Sequence, residues 1–193
     1  MWENLNKYDI ILGSQSPRRV ELLGGLDITF RQDAMPDLDE SYPNQLALEA
    51  IPEYLAVQKA GAYSPRMNRN TLLITADTIV LLGDEVLGKP QDLSEAKSML
   101  HKLSGQEHRV ITGVCVQTQE RCERFSCTTL VRFAHLTTED IDYYIEHYRP
   151  LDKAGAYGIQ EWIGYRAIQL IEGSFYNVMG LPVHRLSSIL MTF

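Results

Sequence analysis

The sequence predicts an α/β protein, a mixed β-sheet covered by helices. Strand-like and helix-like segments alternate along the chain, two long β-rich stretches at 108–118 and 123–134 are separated only by the polar turn QERC, and no segment is long and apolar enough to span a bilayer. The central hairpin makes the sheet antiparallel in its middle, and the strand–helix alternation elsewhere calls for parallel neighbours.

Residues 8–13, YDIILG, are a short apolar run closed by glycine. In SQSPRR a serine cap followed by Pro17 suits the first turn of a helix that stops near Gly24 and Gly25. DITFRQD alternates like a strand, and MPDLDESYPN is a polar loop carrying the acids Asp37, Asp39 and Glu40. From about Gln45 to Tyr63 the spacing of Leu48, Ile51, Leu55 and Ala56 is helical, with Lys59 one turn beyond Leu55 and Pro52 in the first turn. The run 71–90 reads as a strand at 71–76 and a hairpin through Gly83 and Asp84, ending at Gly-Lys-Pro.

DLSEAKSMLHKLSG carries the clearest helical stripe, Leu93, Ala96, Met99, Leu100 and Leu103, with Asp92 or Ser94 as its cap and Gly105 as its stop. Thr138 is expected to cap EDIDYYIEHY, and Pro150 ends that helix. The glycine-rich LDKAGAYGIQ precedes a strand-like YRAIQLIEG, and the tail is a loop followed by an amphipathic helix.

With 193 residues, 45% hydrophobic and 22% charged, the chain can bury a core without disulfides, and one domain over 1–193 is expected. The net charge of −7 argues against broad nucleic-acid binding, which needs surplus Lys and Arg. The N-terminal stretch has no signal-type cleavage region, so a cytosolic protein is expected. Cys115, Cys122 and Cys127 form no C-x-x-C pair, so they read as ordinary thiols rather than a zinc or disulfide framework.

Asp77 is the first suspect for chemistry. A lone acid within the apolar run TLLITADTIVLL is costly to bury as an ion unless it holds a metal, pairs with a cation or handles a proton. SQSPRR supplies the hydroxyls of Ser14 and Ser16 and the guanidinium groups of Arg18 and Arg19 at a helix start, a combination suited to phosphate. Without a nucleophile elbow neither serine reads as a nucleophile. Lys59 and Lys89 lie beside apolar sequence and by themselves read as surface cations, while Lys89 gains interest just downstream of Asp77. Walker and dinucleotide glycine motifs are absent, and the five histidines make no i, i+4 pair. Oxygen donors such as Asp77 with Glu40 or Asp39 suit Mg²⁺ or Mn²⁺, the ions that accompany polyphosphates.

Taken together, SQSPRR, LDE at 38–40, LAVQKA at 55–60, TADTIV at 75–80, GKP at 88–90, HRVITGV at 108–114, DKAGAYGIQ at 152–160 and GSFYNVMGLP at 173–182 resemble the Maf family of nucleoside triphosphate pyrophosphatases over nearly the whole chain. The resemblance implies an elongated two-lobed α/β fold like that of inosine triphosphate pyrophosphatases, with the site in a cleft. It also implies hydrolysis of the α–β phosphoanhydride of a nucleotide, a divalent cation (Mg²⁺ or Mn²⁺), and homodimers as a common state. By the same resemblance Asp77 is the essential acid, Glu40 a second acidic position, Lys59 and Lys89 the basic positions, and Arg18 and Arg19 phosphate contacts. Arg19, Thr78 and Gln160 resemble the branch acting on dTTP, UTP and modified pyrimidine nucleotides rather than 7-methyl-GTP. A glutamine amide that donates and accepts suits the imide edge of uracil or thymine, although a bond to neighbouring backbone would satisfy Gln160 equally well. A second implied class is a nucleotide-binding regulator of septum formation, in which hydrolysis is secondary.

Overall fold

The structure is a computed structural model that describes residues 1–36, 38 and 40–193. Its seven strands are β1 (Asp9–Leu12), β2 (Arg31–Gln32), β3 (Thr71–Leu82), β4 (Glu85–Leu87), β5 (Glu107–Gln117), β6 (Cys122–Phe133) and β7 (Ile168–Glu172). They form one mixed sheet in the order β2-β1-β3-β5-β6-β7, with β4 paired to β3. The α-helices are α1 (Pro17–Gly24), α2 (Ile51–Tyr63), α3 (Leu93–Leu103), α4 (Thr138–Tyr148), α5 (Trp162–Ala167), α6 (Phe175–Met179) and α7 (Val183–Leu190). β1 runs parallel to β2 and β3, whereas β3–β4 and β6–β7 are antiparallel, so the predicted mixed sheet is the observed one.

The chain divides into two compact units: Met1–Asp77 with Thr112–Cys127 and Gly180–Phe193, and Thr78–Ile111 with Thr128–Met179. β3, β5 and β6 each contribute residues to both.

In the first unit α2 lies on the sheet. Its Ala56, Ala60 and Tyr63 bury against Ile11 of β1, Leu73 of β3 and Cys115 of β5, giving the helix a nearly solvent-free inner face. The start of α2 approaches β5 so closely at Gly113 that a Cβ there would fall 2.1 Å from the Glu53 nitrogen. Any side chain at 113 would push the helix off the strand and carry Lys59 with it. The Sγ atoms of Cys115 and Cys122, strand residues flanking the central turn, are 3.6 Å apart as free thiols.

In the second unit α3 and α4 pack together, tied at their surface by a Lys97–Asp142 ion pair. Asp92, the first of the two predicted caps, accepts from the Glu95 amide at 2.8 Å. The cap of α4 is Thr137 rather than Thr138. Only Thr137 has a carboxylate three residues on, Asp140, and the two close a reciprocal capping box. The strand expected from Tyr165 begins at Ile168, because Trp162–Ala167 coil into α5, whose Gly164 sits against the Ile159 carbonyl. The strand foreseen at 71–76 continues through Asp77 to Leu82, as the apolar residues 79–82 extend the same buried pattern.

Candidate active site

Two periodicities meet at Asp77. Side chains two apart on a strand share a face, and residues three apart on a helix are neighbours. The Thr75 hydroxyl donates to the Ala56 carbonyl of α2 at 2.7 Å, which fixes that face of β3 against the helix. Asp77, two residues on, therefore meets Lys59, three residues beyond Ala56. Lys59 Nζ donates to Asp77 Oδ1 at 2.6 Å and pairs with Glu40 Oε1 at 2.8 Å.

The three side chains differ in their access to water. Lys59 and Asp77 are 11% and 13% exposed, and Glu40 is 49% exposed. Asp77 Oδ2 has no hydrogen-bond partner among the described residues. One ammonium thus serves two carboxylates, and one carboxylate oxygen stays available inside a site that water reaches poorly, where each charge acts more strongly than in bulk. Among the described residues no group of three or more His, Cys, Asp and Glu side chains makes a ready cation site. The two carboxylates nevertheless converge on a single cationic centre with oxygen donors only, a donor set that fits Mg²⁺ or Mn²⁺ completed by polyphosphate oxygens and water. Asp39, the alternative acidic position, lies outside the described residues.

The SQSPRR turn stands in the same unit. Ser14 is buried, its Oγ accepting from the Ser16 amide at 3.2 Å and from Arg19 Nη1 at 3.3 Å, while its carbonyl accepts from Gln32 Nε2 at 2.7 Å. Ser16 is the N-cap of α1, yet its hydroxyl makes no capping bond, and Pro17 follows it in the first turn. Arg19 also donates to the carbonyls of Ala76 and Gly180, each at 2.8 Å. It therefore clamps the strand immediately before Asp77. Burial pulls the Arg19 guanidinium below its usual pKa, opposed by the field of Asp77. Arg18 is half-buried beside it.

The remaining predicted residues belong to the second unit. Thr78, next to Asp77 in β3 and so on its opposite face, is half-buried. Lys89 is exposed and has no ion pair among the described residues. Gln160 lies in the loop after Gly158, and its Oε1 is buried without a hydrogen-bond partner among the described residues. That loop is pinned to the turn bearing Lys89, since the Gly155 amide donates to the Gly88 carbonyl at 3.0 Å. Gly155 needs to be glycine here: its φ is +68°, and a Cβ would come within 2.9 Å of Val80 Cγ2.

Several side chains around this loop were not singled out from the sequence. Lys153, 9% exposed, pairs with Asp152 at 2.7 Å and Glu161 at 3.1 Å, and Glu161 accepts a short hydrogen bond from Tyr144. His108 Nε2 bonds the Tyr157 hydroxyl at 2.8 Å, and both rings pack edge-on with Phe133. Burial alone pulls the His108 pKa down to about 4 and raises that of Tyr157. Lys153, Tyr157 and His108 fall inside recognised motif segments, whereas Tyr144 and Glu161 carry no local signal at all.

A mixed α/β fold with an acid–lysine–acid cluster and an arginine-clamped turn in one unit places carboxylate oxygens and guanidinium groups within the same part of the chain. The particular family is plain from comparison: residues 9–193 match the model of the Maf-like proteins, and the chain belongs to that family. A protein of Porphyromonas gingivalis named dTTP/UTP pyrophosphatase is 61% identical over all of this chain and 98% of its own length. One of Parabacteroides distasonis with the same name is 54% identical over the whole of both chains. Among solved structures, a nucleoside-triphosphatase, dITP/XTP pyrophosphatase, of Mycobacterium abscessus shares 13% identity at a TM-score of 0.47, over 95% of this chain and 94% of its own. No helix among the described residues is long and apolar enough to cross a membrane.

Proposed function

We propose that this protein hydrolyses dTTP, UTP and related pyrimidine nucleoside triphosphates at the α–β phosphoanhydride, releasing the monophosphate and pyrophosphate and so removing unwanted nucleotides from the pool. The observation that carries the reading is Asp77, held through Oδ1 by Lys59 beside Glu40 while Oδ2 has no protein partner among the described residues. Full-length relatives named dTTP/UTP pyrophosphatase support the substrate class.

In this reading Asp77 Oδ2 has one of two uses: to take up the proton of the attacking water as the new phosphorus–oxygen bond forms and the bond to the pyrophosphate leaving group breaks, or to hold the cation. Lys59 keeps the carboxylate oriented and, with Lys89, Arg18 and Arg19, offsets charge that grows on the phosphoryl oxygens and the pyrophosphate leaving group. Ser14 and Ser16 shape the turn that receives phosphate, and Thr78 and Gln160 contact the base. Asp77 and Glu40 would hold Mg²⁺ or Mn²⁺, which neutralises polyphosphate charge when bound. The reaction belongs in the cytosol, where nucleotide pools lie.

Purified protein is incubated with a panel of nucleoside triphosphates and Mg²⁺ or Mn²⁺, with pyrophosphate as the readout. Release from dTTP and UTP, abolished by EDTA and restored by added cation, is expected. No release from either nucleotide overturns the substrate class, inorganic phosphate as the first product overturns the bond assignment, and activity that survives EDTA overturns the metal requirement.

A further inference from the structure

Gln160 has an amide oxygen that is buried with no hydrogen-bond partner among the described residues, in a loop whose backbone is bonded at Gly155, Gly158 and Glu161. An orphaned buried acceptor of this kind is costly and persists where the surrounding structure imposes it. The imposing structure stands next to it in sequence. Glu161 uses both carboxylate oxygens, Oε1 on Lys153 at 3.1 Å and Oε2 on the Tyr144 hydroxyl. The same hydroxyl accepts from the Gly158 amide at 3.0 Å, so one buried phenol ties the loop at 158 and at 161 to α4, on either side of Gln160.

This clamp leaves little slack. Tyr144 is fully buried and stacks on Tyr148, and a Cβ at Gly158 would fall 2.9 Å from Glu161 Cδ and 3.0 Å from Lys153 Cε. The loop backbone therefore rests directly on the ion pair. Burial, reinforced by the bond to Glu161, raises the Tyr144 pKa, so its proton stays in place to donate. None of these groups has a use in the hydrolytic chemistry. They tie the chain at Gly158 and Glu161, on either side of Gln160, and so restrict its main chain.

We infer that Tyr144, Glu161 and Lys153 are positioning residues that hold the Gln160 amide unsatisfied and ready for a pyrimidine edge, and thereby set base selectivity. The inference rests on the reading of Gln160 as a base contact. Uracil offers acceptor, donor and acceptor along that edge, and cytosine offers donor, acceptor and acceptor. A fixed amide separates the two, whereas a mobile one re-pairs and does not.

The test measures kcat and KM for UTP and CTP, alongside urea unfolding, in wild type, Gln160→Ala, Tyr144→Phe and Glu161→Gln. Tyr144→Phe deletes one oxygen and keeps the ring. It is expected to raise KM for UTP about tenfold with kcat within about twofold, and to bring the UTP/CTP ratio of kcat/KM down to that of Gln160→Ala. Glu161→Gln keeps the volume and an acceptor for Tyr144 but loses the ion pair, and shifts the ratio in the same direction by less. Equal loss for both nucleotides, or no change, in Tyr144→Phe and Glu161→Gln overturns the positioning role while leaving Gln160 in place. Wild-type selectivity in Gln160→Ala, or a wild type that does not separate UTP from CTP, overturns the base contact and the inference together.

Discussion

Two shielded lysines, each between two carboxylates, make an instructive pair. Lys59 lies 2.6 Å from Asp77 and 2.8 Å from Glu40, and Lys153 lies 2.7 Å from Asp152 and 3.1 Å from Glu161. Their side chains are almost equally shielded, at 11% and 9% exposure. What separates them is the buried acid. Glu161 has both oxygens engaged, by Lys153 and by Tyr144, whereas Asp77 has only Oδ1 engaged among the described residues. A fully satisfied buried carboxylate contributes rigidity, and one with a lone pair left over can take a proton or a cation. The same residue types at similar distances therefore differ in what they leave available, and on the proposed function they serve different ends.

The largest expected effect comes from emptying the reactive side of that contrast. Asp77→Asn is expected to lower pyrophosphate release from dTTP or UTP by about a thousandfold, the middle of the range a positioned base contributes, with little change in urea unfolding. If nucleotide binding and an effect on septum formation survive that loss, hydrolysis is the secondary role. Lys59→Met, which removes the cation and leaves Asp77 facing Glu40, is expected to lower kcat by about a hundredfold in the same assay.

The matching change in the second cluster should register as stability. Lys153→Met is expected to cost about 2 kcal/mol in urea unfolding, below the roughly 3–5 kcal/mol of a fully buried pair because Glu161 keeps its bond from Tyr144 and is 19% exposed. Its kcat should stay within about twofold of wild type. A large fall in kcat without loss of stability would erase the contrast between the clusters.

The smallest effect is a pH dependence. His108 titrates at about 4 when folded against an ordinary 6.5, so between those values the unfolded chain binds the extra proton. Stability then rises with pH through this window and is lost as pH falls from about 6.5 toward 4. Unfolding free energy should drop by about 1 kcal/mol between pH 7 and about pH 5.5, and His108→Gln should remove that part of the slope.

Most of the fold was legible because it is written in local periods. The stripe of α3, the Gly83–Asp84 hairpin and the β5–β6 pair appear where spacing and turn chemistry put them. Adjacent threonines at 137 and 138 have equal intrinsic capping ability, and the position of Asp140 decides between them. Residues 165–167 combine strand-like side chains with a helical conformation, because the close approach of Gly164 to the Ile159 carbonyl is a tertiary contact that no window of sequence reports.

By itself the sequence determined which residue types are available to polyphosphate chemistry, and through its motifs it singled out Asp77, Glu40, Lys59 and the SQSPRR turn as candidates. Tertiary structure alone decided how they are used. Lys59 reaches Asp77 because a strand face of period two meets a helix face one turn long, and the Arg19 guanidinium clamps the carbonyl just before that acid. Tyr144 reaches Glu161 across 17 positions of chain. Partners set by packing rather than by spacing leave no local pattern to read, and so the clamp around Gln160 became visible only in the folded molecule.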